Sequence, residues 1–527
     1  MNIKQVSSGS EVDEKLAALL TNANAVRAIA SAVEGTIGPK GLDTMLVDRF
    51  GDVVITNDGI TILTKMDVNH PAARMVINTA KAQEEEIGDG TTTATIMAAA
   101  LLTEGVNQAI KGVPVTRIIE GIRLGIRRVL ELIDDKSRPV GGVDDPILRQ
   151  VALVAGRQHE DIADLAVKAA ALVGRDKLLE EDFKLADTVI AKESAENEVF
   201  MGVIIDKERL NRDMPRVVEE ASILVIDDAL EPEEVEEEAL ATEAGFQRHL
   251  ELQEEFRCNL QKLINMGVNV ILVDRGVSDV AEEMLTDAGV MVLSRLTSKE
   301  LRKAAEHTGA RPVKRTALKK DPNDLAKYLG RADRVYEDEK LEHVRILGGK
   351  GKPMATLLVG AATEEVVHER ERIARDAASA VQAAIRGGVV AGGGAVELAI
   401  ADEVEAFRSS IKGMAGYGVE CVVEALKKPM FQIVANAGFN PLEKLGDVIA
   451  ARARLGKDSL GIDCDTGEVV DMFELGVVDP TLVKTHGLRA AAEIAEAILR
   501  IDTIIKKKDD SGQEDRSAEQ DVEDLDF

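Results

Sequence analysis

The 527-residue chain predicts a multidomain α+β protein in which an α/β module interrupts a mostly helical one. Helical patterning dominates residues 12–134 and returns from residue 363 to about 505. Between about 200 and 354, short β-branched runs alternate with helical segments instead. The chain also exceeds what one hydrophobic core supports, which points to about three domains. A domain inserted into another domain explains why the two flanks share a texture.

Composition narrows the class. Hydrophobic residues make up 45% of the chain but aromatics only 2%, with no Trp, so the cores must be built from Ala, Val, Ile and Leu. Such cores suit helices that approach closely. The formal net charge of −29 argues against nucleic-acid binding, which depends on neutralising phosphates with Lys and Arg. Cys258, Cys421 and Cys464 are scattered and form no CxxC pair, the pattern of reduced thiols in the cytoplasm. The N-terminal stretch lacks the apolar core of a signal peptide, and the run 94–102 is too short to span a bilayer, so no membrane association is expected.

Along the chain, residues 12–35 read as a helix ending at Gly35. MLVD (45–48), VVIT (53–56) and ITIL (60–63) read as extended pieces separated by FGD and NDG turns, which places Asp58 at a hairpin tip. Helical pattern resumes at Pro71, runs to Glu86, breaks at residues 88–90 and continues to Ile110. Another helix spans roughly 114–134, before the candidate hinge RPVGGVDDP (138–146). SILVID (222–227), VNVILVD (268–274) and GVMVLS (289–294) are expected to form a parallel sheet. The charged stretch 231–256 is too polar over its first half for a core helix. Thr363 is the expected N-cap of a long helix reaching Arg386, and Glu364 and Glu365 complement its dipole. The densely charged end, 506–527, is expected to be disordered.

Several stretches have the composition of a binding site. In GDGTTT (88–93), small residues let an anion approach the backbone, consecutive N–H groups at a helix start bind phosphate, and Asp89 suits a divalent cation beside it. Spacing leaves a second reading open, an Asp or Thr N-cap after a glycine break. EGTIGPKG (34–41) is neither a dinucleotide fingerprint nor a P-loop, and by itself reads as a turn. AGGG (391–394) removes side chains where a flat ligand fits, or else is a flexible helix break. Asp376, in HERERIARDAASAV, lies where a charged helical face gives way to a buried one. No HExxH or GxSxG motif accompanies these, so zinc or serine chemistry is not indicated.

The order of the motifs is more specific than any one of them. TIGPKG, TNDG (56–59), GDGTTT, RDA followed by VVAGGG, and VVDPTLVKT (477–485) together resemble a chaperonin subunit over nearly the whole chain. MDVNHPAARM (66–75), GVIIDKE (202–208) and KTHGLRAAAEIAEAILRID (484–502) resemble group II, the thermosome and eukaryotic cytosolic type. The resemblance implies a mostly helical, discontinuous equatorial ATPase domain (1–139 and 388–505), a small intermediate domain (140–200 and 355–387) and an α/β apical substrate domain (201–354). It also implies a helical protrusion about 231–256 serving as a built-in lid; the acidic tail from 506 falls outside the resemblance. Two stacked rings that need no separate lid protein, and enclose unfolded or misfolded polypeptides, would follow.

The family's roles carry over residue by residue. Thr36, Ile37, Gly38, Pro39 and Asn57, with Gly88, Asp89, Gly90, Thr91, Thr92 and Thr93, would surround the phosphates of ATP, and Asp89 would hold Mg2+. Asp58 and Asp376 match the aspartates that orient or deprotonate the attacking water. Gly393 and Asp479 match the nucleoside end, with Asp479 on the ribose. One departure stands out. Group II subunits carry a lysine in the loop where this chain reads LVAGRQHED (153–161), leaving Arg157 or His159 as substitutes and fitting a divergent, group III-like bacterial lineage. Two other classes stay open: a nucleotide-gated ring or filament scaffold that folds nothing, and a small-molecule kinase. The kinase would need an acceptor-side base that the sequence does not display, and the scaffold would lack the hydrolytic aspartates.

Overall fold

The computed structural model describes residues 3–7, 10–13, 15–47, 51, 53–233 and 242–507. Packing divides the chain into one unit of residues 1–158 with 379–527, and a second of residues 159–378.

The first unit opens with β1 (Ile3–Ser7) and β2 (Ser10–Asp13), which pair antiparallel. Helix α1 spans Lys15–Val33 rather than 12–35, because β2 holds its expected start and a 3-10 turn, Glu34–Thr36, takes over its end. β3 (Thr44–Val47) and β4 (Val53–Thr56) form a hairpin. The predicted strand 60–63 is instead part of helix α2 (Gly59–Lys65). Asp58 is its N-cap, not a hairpin tip, and its Oδ2 accepts from the Thr61 N–H at 3.0 Å. A short apolar run has no decisive period, so the cap sets its structure. Then follow α3 (Pro71–Glu86), α4 (Thr91–Ile110), α5 (Val115–Lys136) and α6 (Ile147–Ala155).

The second unit contains α7 (Glu160–Val173), β5 (Val189–Glu193), β6 (Glu198–Ile205), β7 (Val217–Ile226) and α8 (Glu243–Asn265). It continues with β8 (Val270–Val273), α9 (Asp279–Asp287), β9 (Met291–Leu293), α10 (Ser298–Thr308), β10 (Gly330–Asp338), β11 (His343–Leu347) and β12 (Ala355–Ala361). Its strands make one eight-stranded sheet in the order β5-β12-β6-β11-β10-β7-β8-β9. Only β7-β8-β9 and β5-β12 pair in parallel, so the expected parallel sheet is one end of a mixed one. The apolar runs of β7 and β8 are buried on both faces: Ile223 and Val225 join one core, while Leu224 and Ile226 join Phe256, Leu260 and Leu263 of α8 on the other. The charged stretch 231–256 therefore ends inside a helix whose later turns are core; residues 234–241 lie outside the described ones.

Helix α11 (Glu364–Gly387) leads back to the first unit. There β13 (Val389–Ala391), α12 (Ala395–Arg408), α13 (Ala415–Asn436) and α14 (Pro441–Leu455) precede the small pair β14 (Leu460–Ile462) and β15 (Val469–Asp471). β16 (Val478–Pro480), α15 (Thr481–Leu499) and β17 (Ile504–Lys507) complete it. β17 pairs with β2, so Lys506 and Lys507 belong to a strand; the remainder of the acidic tail lies outside the described residues. The segment 391–394 is not a break within a helix but a strand–turn–helix junction between β13 and α12.

Ala98, Leu101 and Leu102 of α4 centre the helical core, packed with α1, α5, α13 and α15. Where α5 crosses α13, a Cβ on Gly121 would lie 1.9 Å from the Ala415 carbonyl, and one on Gly418 2.1 Å from the Ile118 carbonyl. Backbones thus touch directly, as an aromatic-poor composition predicts.

Candidate functional site

The junction between α3 and α4 is built from two left-handed glycines, Gly88 (φ 78°) and Gly90 (φ 82°). Added Cβ atoms would reach 2.4 Å from Ser379 Oγ and 2.7 Å from Val483 Cγ1, so neither position admits a side chain. Gly90 is itself the N-cap of α4, and no side chain caps that helix. The Asp89 carboxylate accepts from the Gly90 N–H at 2.6 Å rather than from the helix's first turn. This removes the side-chain-cap reading: no side chain takes up the leading N–H groups of this 20-residue helix, the kind of start that suits an anion. Burial, with the Asp479 charge, pushes the Asp89 carboxyl up to about 6, against the Gly90 N–H and the charges of Lys484 and Arg157.

Gln83, one turn before the loop, fastens it. Its amide donates to the Asp89 carbonyl at 2.8 Å, and its Oε1 lies 2.7 Å from His486 Nδ1 on α15. The sequence offers no signal for Gln83, which sits among charged residues at an ordinary helical position.

Two other predicted segments meet this helix start. The N-terminus of α2 lies against it: a Cβ on Gly59 would fall 2.2 Å from Thr92 Oγ1 and 3.4 Å from Thr91 Oγ1. Asp58, 8% exposed, is oriented by Thr61, whose hydroxyl donates to Oδ2 at 2.6 Å. The neighbouring Asn57 Oδ1 is buried and accepts no hydrogen bond among the described residues. The turn carrying Thr36, Ile37, Gly38 and Pro39 packs against α4 and α13. Asn436 of α13 donates to the carbonyls of Glu34 and Ile37, both at 2.9 Å, and the Thr36 hydroxyl donates to the Val33 carbonyl at 2.8 Å.

The glycine turn supplies a further wall. β13 and β16 pair antiparallel with Val390 opposite Asp479. A Cβ on Gly392 would meet Asp479 Oδ1 at 3.1 Å, whereas one on Gly393 would find only Met472 Sδ at 3.5 Å and Val477 Cγ1 at 3.7 Å. On the Gly393 side an added Cβ would meet only ordinary van der Waals contact, although φ 63° still favours glycine there. Asp479 is held by Lys484 at 2.7 Å, and the same ammonium lies 2.7 Å from Glu397. Burial alone would lower the Lys484 ammonium, but Asp479 and Glu397 hold it well above the usual lysine value. Sequence reading missed both Lys484 and Glu397; a lone lysine and a lone glutamate in separate helices carry no pattern.

Arg157 and Gln158 both adopt left-handed backbone, at φ 52° and 65°, and the Arg157 charge bears on Asp89. Of the two substitutes for the family's loop lysine, Arg157 therefore belongs to the unit that holds Asp89, while His159 belongs to the other. Asp376 is in the second unit as well, ion-paired with Arg372 at 2.9 Å. The structure thus gathers the 36–39 turn, Asn57, Asp58, residues 88–93, Gly393 and Asp479 within the first unit, and leaves Asp376 outside it. Among the described residues no group of three acidic, His or Cys side chains is arranged to hold a metal unaided. A single carboxylate plus phosphate oxygens is nonetheless the usual Mg2+ arrangement, and the raised Asp89 carboxyl fits it.

Comparison with known proteins bears on the identity. The TCP-1/cpn60 chaperonin family model matches residues 29–509. The chain is 37% identical over 503 residues to thermosome subunit beta of Archaeoglobus fulgidus, covering 92% of this chain and 91% of that one. It is 35% identical to thermosome subunit alpha of Thermoplasma acidophilum, covering 95% and 94% respectively. A crystal structure of a group III chaperonin in the open state matches with a TM-score of 0.86 and 49% identity, over 93% of this chain and 99% of that one. With the helical and α/β units, the motif order and this coverage, the chain belongs to the TCP-1/cpn60 chaperonin family.

Proposed function

We propose that the pocket around residues 88–93 is where this ATP-dependent chaperonin binds and hydrolyses ATP, and we assign its residues as follows. The α4 N–H groups and the hydroxyls of Thr91, Thr92 and Thr93 receive the phosphates, with Thr36, Ile37, Gly38, Pro39 and Asn57 closing the opposite side. Asp89 would hold Mg2+, which when bound neutralises charge on the phosphate oxygens. Gly393 lets the nucleoside lie against the turn, and Asp479 meets the ribose. Asp58 and Asp376 orient the attacking water and take its proton, in a reaction helped mainly by positioning and electrostatics. Because Asp376 belongs to the second unit, domain movement would be what completes the site, linking hydrolysis to motion.

The observation that carries this reading is the uncapped, glycine-led start of α4 with Asp58–Gly59 packed on its threonines. Steady-state hydrolysis by the assembled protein tests it. Asp376→Ala and Asp58→Ala are each expected to lower kcat by about 100-fold or more while ATP still binds; wild-type rates would sink the assignment.

The finer architecture belongs to the same reading: the three nested domains with the boundaries given above, two stacked rings, a cytoplasmic home, and a built-in lid about 231–256. No helix among the described residues is long and apolar enough to cross a membrane. Supporting a role in substrate capture, α8 exposes Phe246 and Leu250, one helical turn apart, at 56% and 46%. Deleting 234–250, which spares the core residues Leu252 and Phe256, is expected to preserve ATP hydrolysis and abolish protease-resistant closure around a substrate; persistent closure would refute the lid.

A further inference from the structure

The charges left over after the residues above are accounted for are Lys484 and Glu397. Glu397 is 1% exposed, and neither of its carboxylate oxygens has a hydrogen bond of proper geometry among the described residues; what balances it is the Lys484 ammonium at 2.7 Å. The same ammonium meets Asp479 Oδ2 at 2.7 Å. Asp479 Oδ1 is left beside the Gly392–Gly393 turn, where a Cβ on Gly392 would touch it at 3.1 Å. Lys484 and Glu397 also line a cavity of about 20 Å³ together with Gly90 and Thr93, so the pair adjoins the phosphate loop as well. A buried carboxylate that shares its counter-charge with a pocket residue is costly unless that sharing is useful.

Resting on the reading of this pocket as a nucleotide site, we propose that Lys484, anchored by Glu397, is a positioning residue that aims Asp479 at the ribose and so sets selectivity for ribonucleotides. With Oδ2 committed to the ammonium, the carboxylate cannot rotate away, and Oδ1 is presented at a fixed distance from the glycine turn. Two ribose hydroxyls are then read by one oriented acceptor. Without Lys484, Asp479 would swing freely and contribute no more than any solvated carboxylate. The phosphate end, which Lys484 also adjoins, would lose the same charge whichever nucleotide is bound, so the ratio between nucleotides isolates the ribose.

The test compares kcat/KM for ATP and for 2′,3′-dideoxy-ATP in the full-length assembled protein. Wild type is expected to prefer ATP by roughly tenfold or more, since a charged acceptor's hydrogen bond is at stake. Lys484→Met is expected to bring that ratio near one, kcat/KM for ATP falling further than kcat/KM for dideoxy-ATP, and Lys484→Arg to restore most of it. Should Lys484→Met fail to fold for want of a partner to Glu397, Glu397→Gln keeps the Lys484–Asp479 pair while loosening its anchor, and is expected to lower the ratio severalfold. A ratio unchanged in Lys484→Met, or in Glu397→Gln where the former does not fold, overturns the proposal. If Asp479→Asn also leaves the ratio unchanged, it is the ribose assignment that fails and the proposal falls with it. If Asp479→Asn collapses the ratio while Lys484→Met does not, only the role of Lys484 is refuted.

Discussion

Each unit buries an ion pair, and the two are finished differently. In the second unit, Arg209 holds Glu337, 4% exposed at its side chain: the Arg209 N–H donates to Oε1 at 3.1 Å, and its guanidinium bonds Oε2. Both carboxylate oxygens are satisfied by one neighbour. In the first unit, Glu397 has only charge to balance it, and Lys484 divides itself between Glu397 and Asp479. The acceptors of Glu337 are filled although Arg209 also reaches Glu339, whereas those of Glu397 are not, and this difference is what the proposal for Lys484 builds on. The surroundings agree, since the first pair joins loop and strand of a sheet domain and the second adjoins the α4 N-terminus.

The largest expected effect sharpens this comparison. Asp89→Ala should lower ATP hydrolysis by about 100-fold or more, whereas Glu337→Gln should leave KM for ATP unaltered and instead reduce the stability of the second unit, by about 3 kcal/mol. Nucleotide titrations and urea denaturation read the two separately; an effect of Glu337→Gln on KM as large as that of Glu397→Gln would erase the distinction.

The cores differ too. Leu260→Ala empties a fully buried site beneath the sheet and should cost about 2–5 kcal/mol. Gly121→Val acts oppositely, by forcing α5 off α13 where no space exists, and should destabilise the first unit by about 1–3 kcal/mol or more. Hydrogen exchange mapped onto each unit locates each loss; protection lost equally in both would contradict two separate cores.

Acidification should also separate the units. Burial, with the charges of Arg345 and Lys192, pushes the His343 imidazole down to about 4, so its contribution to stability is full above the unfolded value and is lost as pH falls toward the folded one. Asp89 has the opposite sign. Its carboxyl is raised to about 6, so the empty pocket is relieved as pH falls through that value toward the ordinary carboxylate range. Between about pH 7.5 and about pH 5, protection should fall around His343 and rise around residues 88–90, and Asp89→Asn should abolish only the second change. The smallest effect is reserved for the exposed Lys40–Asp465 pair: Lys40→Ala should leave the urea midpoint unchanged within error.

Legibility followed the strength of local signals. Pro71 and the Gly-Asp-Gly break mark α3 and α4 at the residues where the helices begin and end. The run 60–63 misled, because four apolar residues fit strand or helix and only the Asp58–Thr61 bonds choose. SILVID and VNVILVD announced buried strands, but not that β7 has an antiparallel neighbour on one side and a parallel one on the other. GDGTTT was readable as an anion site or a side-chain cap, and with Gly90 as the N-cap of α4 no side chain caps the helix.

What the sequence alone determined was the class of protein and the position of its motifs: composition dictates Ala- and Gly-mediated helix contacts, glycines mark where backbone must bend or be bare, and the order of five separated motifs points to a chaperonin. Those are local or additive properties, carried by each residue wherever it lies. Which charges share a pocket was decided only by tertiary structure. Asp479 and Lys484 are near neighbours in the chain, where β16 runs into α15, but Glu397 stands on α12, and nothing in its own neighbourhood sets it 2.7 Å from Lys484. Burial turns that proximity into a strong coupling, because a charge removed from water depends on whichever partner the fold brings to it.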